Sequence, residues 1–129
     1  MTMPHERTRS IRWGWELLSA IADDPEIEES IKQLAALIKE TYPPPELIGH
    51  LIAAESAGLP PAAAQSIAEA AGLFTMLRLK LQGTEQIRHH LRFTLRHFPQ
   101  PTDVHLMGSQ SVHFCLTDWL RPEDWYDRR

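Results

Sequence analysis

Apolar residues return at helical spacing along most of the chain, and the runs break at prolines and glycines. Ile11, Trp15, Leu18 and Ala22 share one face of a first helix, with Leu17 and Ile21 widening the stripe. Asp23-Asp24-Pro25 reads as the cap and first-turn proline of a second helix, with Glu26, Glu28 and Glu29 in its first turn. Its core face is Ile27, Ile31, Leu34 and Ile38, and Tyr42-Pro43-Pro44-Pro45 ends it. A third helix starts near Pro45 and Glu46, buries Leu47, Leu51 and Ala54, and stops at Gly58. A fourth runs from Pro61 to Gln82 with Gly72 as a weak point and Gly83 as its stop. Thr84 caps a fifth, which carries Ile87, Leu91, Leu95 and Phe98 on one face and ends at Pro99. Beyond Gly108, Val112-His113-Phe114-Cys115-Leu116 alternates like a strand, yet Val112, Leu116 and Trp119 also fit a helix. Helix is preferred, because no partner strand is evident. Arg121 to Arg129 reads as an extended or frayed tail.

An internal repeat organises these elements. A shift of 56 residues lays Tyr42-Pro43-Pro44-Pro45 over Phe98-Pro99-Gln100-Pro101. It also matches Ile11 with Ile67, Leu17 with Leu73, Glu29 with Glu85, Ile31 with Ile87 and Ile48 with Val104. The reading is a duplicated helical hairpin, with halves near 10–51 and 66–107 and a C-terminal segment 109–129. Two unrelated hairpins sharing a common helix stop are the alternative. Either way the expectation is one all-α domain over residues 1–129, a compact bundle of five or six helices.

Two fragments carry a resemblance. Met3-Pro4-His5-Glu6-Arg7-Thr8-Arg9 is similar to a Pro-x-Glu-Arg-Thr-Arg start, and Leu95-Arg96-His97-Phe98-Pro99-Gln100-Pro101 to a Leu-Arg-His-Tyr-Pro helix ending. Both resemble a family of short, uncharacterised bacterial proteins. The first half has Ile38-Lys39-Glu40-Thr41-Tyr42-Pro43 at the corresponding place, without the Arg-His pair. The resemblance implies a cytosolic, helical bacterial protein in an extended two-copy form, and it implies no activity.

Composition narrows the chemistry. The chain has 129 residues, of which 43% are hydrophobic and 23% charged, an ordinary globular balance. The start, Met1-Thr2-Met3-Pro4-His5-Glu6-Arg7, has charges where a signal peptide needs an apolar core, which points to the cytoplasm. The single cysteine, Cys115, permits neither an internal disulfide nor a cysteine zinc cage and reads as a small buried filler. None of the seven histidines lies four residues from another, as a shared helical metal site would want. Glu46 with His50 and Glu85 with His89 stand at i,i+4, not at the i,i+3 spacing of di-iron bundles. Surface or capping histidines are therefore expected, with no metal and no cofactor. No serine elbow, phosphate loop or dinucleotide fingerprint is present, so the reading is non-enzymatic.

Charge and aromatics supply the candidate sites. Residues 23–57 hold eight carboxylates against two lysines, a balance of −6, whereas residues 78–97 stand at +4. Arg88, Arg92 and Arg96 repeat at i, i+4, i+8, where like charges repel, so an acidic counterpart is expected. It is this chain's own acidic half, an acidic partner, or phosphates. Trp15 follows the core stripe, while Trp13, Trp125 and Tyr126 are interface candidates, because such rings dominate binding hot spots. The expected role is a small cytoplasmic protein-binding protein, a regulator or an immunity- or inhibitor-like partner. The alternative is a nucleic-acid-binding regulator using the Arg88–Arg92–Arg96 helix. A net charge of −4 weighs against the alternative.

Overall fold

Prolines decide where helices begin. The computed structural model describes residues 2–108 and 115–125, and places six α-helices in them. These are α1 (Pro4–Asp23), α2 (Glu29–Thr41), α3 (Pro45–Ala53), α4 (Pro61–Lys80), α5 (Glu85–His97) and α6 (Pro101–Met107). Four of the six open on a proline, which lacks the N–H that a first helical residue leaves unpaired. Prolines also stop helices, as α2 and α5 end one residue before Tyr42-Pro43 and Phe98-Pro99. The fold is all-α, with no strand among the described residues. A single 3₁₀ turn, Leu116–Asp118, follows α6 in the described chain.

Helix α1 is sandwiched between α2 and α5, while α4 packs on α2, α5 and α6. Its buried residues include Ser10, Ile11, Gly14, Leu17, Leu18 and Ile21; those of α4 include Ser66, Ile67, Ala70, Leu73, Phe74 and Leu77. Each residue of the second set lies 56 positions after its counterpart in the first. Helices α2 and α5 are offset by the same 56 at both ends. Tyr42 and Phe98 are both buried, at 2% and 4% exposure, and both rings press on Gly14. A Cβ built at Gly14 would sit 2.5 Å from the Tyr42 hydroxyl oxygen and 2.9 Å from Phe98 Cε2. The Tyr42 hydroxyl donates to the Ile11 carbonyl at 2.6 Å, and Phe98 meets Phe74 edge-on at 5.5 Å.

Several boundaries differ from the sequence reading. Helix α2 begins at Glu29 rather than after Asp24-Pro25, so Glu26 and Glu28 precede its first turn. The cause is Asp24, which is buried and accepts from Glu26 N–H at 2.7 Å and from the Thr84 hydroxyl at 2.9 Å. Its carboxylate thus closes a tight turn and ties it to the α5 N-cap, where Thr84 in turn accepts from Ile87 N–H. The inner face of α2 is Ile31, Ala35 and Ile38, leaving Leu34 41% exposed. Helix α3 buries Ile48 and Ile52, whereas Leu47 and Leu51 are half-buried and Ala54 is exposed. Helix α4 runs unbroken through Gly72 and stops before Leu81, which takes a left-handed conformation at φ 55°. The apolar spacing alone names no helix between Pro99 and Gly108, where α6 lies, but the 56-residue shift does set its Pro101 and Val104 on Pro45 and Ile48 of α3.

The described part of the C-terminal segment, residues 115–125, is tied down. The helix preferred near Val112–Trp119 falls partly outside the described residues; its described part is the 3₁₀ turn, with Leu116 fully buried. Cys115 is half-buried beside the Thr117 hydroxyl. Residues 121–125 lie along α1 rather than fraying. Arg12 holds Glu123 through two bonds of 2.7 and 2.8 Å, the Thr8 hydroxyl accepts from Arg121 N–H, and Arg7 lies over the Trp119 ring. Such paired guanidinium–carboxylate bonds fix orientation as well as distance.

Two glycine substitutions should move stability in opposite directions. Gly14→Ala gains about 1 kcal/mol of helix propensity. It must also displace two buried rings, one of them pinned by a hydrogen bond, at about 1–3 kcal/mol. Urea titration should show a net loss. Gly72→Ala meets no atom within 4 Å and should gain about 0.5–1 kcal/mol. Tyr42 supplies a second test, because full burial raises its hydroxyl well above the usual tyrosine range. Above about pH 10 the unfolded chain loses a proton that the folded chain keeps, so stability falls as pH rises. Tyr42→Phe should flatten that alkaline decline by up to about 1.4 kcal/mol per pH unit.

Candidate functional site

The three arginines of α5 do not act as one stripe. Steps of four residues advance about 40° beyond a full turn, so Arg88 and Arg96 point about 80° apart. Arg88 and Arg92 line a groove of about 420 Å³ beside α4, together with Arg78, Leu81, Glu85 and Leu91. Arg96 lines a separate cleft of about 680 Å³ between α1 and α5, with Thr2, Glu6, Arg9, Trp13, Phe93 and His97. Trp125 belongs to neither: Arg121 stacks on it at 4.5 Å, on the segment held along α1. Tyr126 lies outside the described residues.

The α4–α5 groove is strongly basic. Arg78, Arg88 and Arg92 are exposed, and none forms an ion pair with any described residue. The acidic half of the chain therefore does not supply their counterpart among the described residues. Glu85 is the single carboxylate in the lining, and Leu91 gives an apolar floor. Leu81, which also lines the groove, is 71% exposed.

The α1–α5 cleft is built differently. The two fragments Met3–Arg9 and Leu95–Pro101 meet here. His97 Nε2 lies 3.0 Å from a Glu6 oxygen, and its Nδ1 lies 3.1 Å from the Thr2 hydroxyl. The other Glu6 oxygen accepts from Met3 N–H, the bond that chiefly holds this carboxyl below its ordinary range. The charges of His97, His5 and Arg9 add to that effect, and partial burial opposes it. Ser10 closes the back of the cleft by bridging the carbonyls of Arg7 and His97. On the open side, Trp13 meets Phe93 edge-on at 4.7 Å, and Arg9 stands 6.0 Å from the Trp13 ring centre. His90 stacks on Phe93 at 4.8 Å. Burial lowers the His90 pKa, against the opposing pull of Glu16 and of a bond to the Trp13 backbone.

Sequence reasoning found Trp13 and Arg96 but not their neighbours Glu6, Arg9, Phe93 and His97. Glu6, Arg9 and His97 stand in the two quoted fragments, which nothing in the linear pattern brings together, whereas Phe93 lies in neither. No group of three His, Cys, Asp or Glu side chains converges as a metal cage would require among the described residues. No helix of the described residues is long and apolar enough to cross a membrane. Comparison with family models, curated proteins and solved structures gives no match for this chain.

His90 yields a pH test with a defined sign. Its lowered pKa means that below about pH 6.5 the unfolded chain takes up a proton that the folded chain resists. Its contribution is present above that pH and lost on acidification. The fall in urea midpoint between neutral and mildly acidic pH should therefore be smaller in His90→Gln than in the parent.

Proposed function

We propose that this chain is a small, non-enzymatic protein-binding module of the cytoplasm, a regulator or an immunity- or inhibitor-like partner. It takes an acidic protein surface into the groove of Arg78, Arg88 and Arg92. The observation that carries this reading is three guanidinium groups, unpaired among the described residues, lining one groove with an apolar floor and the exposed Leu81. Guanidinium forks favour carboxylates, and the exposed Leu81 calls for an apolar side chain that a phosphate backbone lacks. The groove also lacks an aromatic ring on which a base could stack. Hydroxyl, imidazole and carboxylate do line up in Thr2, His97 and Glu6. That chain serves to cap α1 and dock it on α5, which favours a structural role over catalysis.

The same proposal takes the bundle to be a tandem duplication. Its support is the shared offset of 56 in the buried faces and in two surface grooves. Thr8, Arg12, Pro45 and Ile48 line one groove; Ala64, Ala68, Pro101 and Val104 line the other. On this reading the two halves share a backbone and differ in what they present.

The test is a titration of the labelled protein with an amphipathic peptide of Leu and Glu, followed by amide NMR at low salt. Saturable shifts at Arg88 and Arg92 are expected, weakened at least tenfold in Arg88→Ala/Arg92→Ala. No saturable shift would sink the reading. Salt-sensitive retention of a short DNA duplex, lost in the same variant, would transfer the groove to phosphates, at about 0.9 in log–log salt slope per contact.

A further inference from the structure

The α1–α5 cleft and the matching face between α2 and α4 occupy corresponding places and carry opposite charge. On the first, Ser10 of α1 bonds the His97 carbonyl of α5. On the second, Ser66 of α4 meets the Thr41 hydroxyl of α2 at 2.5 Å. Ser66 is 56 residues after Ser10, and His97 is 56 after Thr41, so both faces have one register. Three residues beyond each serine stand Trp13 and Glu69. Four residues before His97 and Thr41 stand Phe93 and Leu37, and immediately before them Arg96 and Glu40. The first face therefore presents Arg9, Trp13, Phe93 and Arg96, and the second Leu34, Leu37, Glu40 and Glu69.

Each face leaves something open. Trp13 and Phe93 cover each other edge-on, but Leu37 has Glu69 where Phe93 has Trp13, and it stays 61% exposed, with Leu34 at 41%. Arg96, Glu40 and Glu69 are exposed and make no ion pair with any described residue. Arg9 has only a 3.8 Å approach to Glu123. Two cations around an aromatic cleft thus stand on the same chain as two carboxylates around an exposed leucine pair.

We infer that the occupant of the α1–α5 cleft is the α2–α4 face of a second copy of this chain. Leu34 and Leu37 of the incoming copy enter the cleft against Trp13 and Phe93, and its Glu40 and Glu69 meet Arg96 and Arg9. Burial of the leucines supplies the non-directional attraction, while the charges select orientation and suppress like-with-like pairing. Different faces meet, so the association is head-to-tail and every copy offers one face of each kind. This interface is separate from the groove of Arg78, Arg88 and Arg92, and the two proposals fail independently.

Sedimentation velocity over a concentration series at low salt reads the association directly. The parent should grow in mass with concentration and revert on adding salt. Arg96→Glu breaks the basic face alone, and Glu40→Ala/Glu69→Ala the acidic face alone. Each variant by itself should remain monomeric while keeping the parent's urea midpoint. An equal mixture of the two should form dimers and go no further, because one intact face of each kind remains. Leu37→Ala, which changes no charge, should weaken the parent's association at least tenfold. A parent that stays monomeric at every concentration overturns the inference. So does a single variant that assembles like the parent, or a mixture that fails to dimerise.

Discussion

The packing of the α2 and α5 ends on α1 depends on the absence of a side chain at Gly14. Two rings converge on α1 there, Tyr42 from the end of α2 and Phe98 from the end of α5. Any Cβ at that point would push both away. Tyr42 is anchored to the Ile11 carbonyl, and Phe98 is wedged against Phe74. A mid-helix glycine is intrinsically unfavourable by up to about 1 kcal/mol, so its use here is explained by the close approach. The distance from α1 to α5 set at this point is also the distance across which Glu6 reaches His97 and Trp13 reaches Phe93. The cleft is a consequence of the core.

The sequence made some of this legible because covalent constraints act locally. A proline after Tyr42 or Phe98 expels the preceding residue from helical geometry wherever it stands, so both helix ends and both rings could be located in advance. The Thr84 cap was equally local. Asp24 was not. Its carboxylate looks like the cap of the next helix, yet it bonds Thr84, 60 residues away, and α2 starts five residues later than Asp24. Leu34 was assigned inward because spacing alone does not say which of two adjacent faces a neighbour covers. The arginine stripe failed for a geometric reason. Residues eight apart drift far enough around a helix to enter different grooves when neighbours flank it on both sides.

Core and surface obey different penalties across positions 56 apart. Ile11 and Ile67, Leu17 and Leu73, Leu18 and Phe74, and Ile31 and Ile87 are all buried, and truncating such residues to alanine costs about 2–5 kcal/mol. Their apolar character is therefore tightly held. Exposed charges contribute about 0–1 kcal/mol each to stability, so Glu40 and Arg96, Ala36 and Arg92, or Glu69 and Trp13 are free to differ. A backbone of one shape can thus display unlike chemistry on its two sides at almost no cost to folding. The tail adds to the asymmetry. Arg7 and Arg12 hold the Trp119 and Glu123 segment along α1, whereas α4 has Ala63 and Ala68 at the corresponding positions and no cation to do the same. The stability of the bundle therefore says little about what it binds. On the proposed reading that information resides in exposed side chains such as Arg88 and Arg96, which form no ion pair among the described residues.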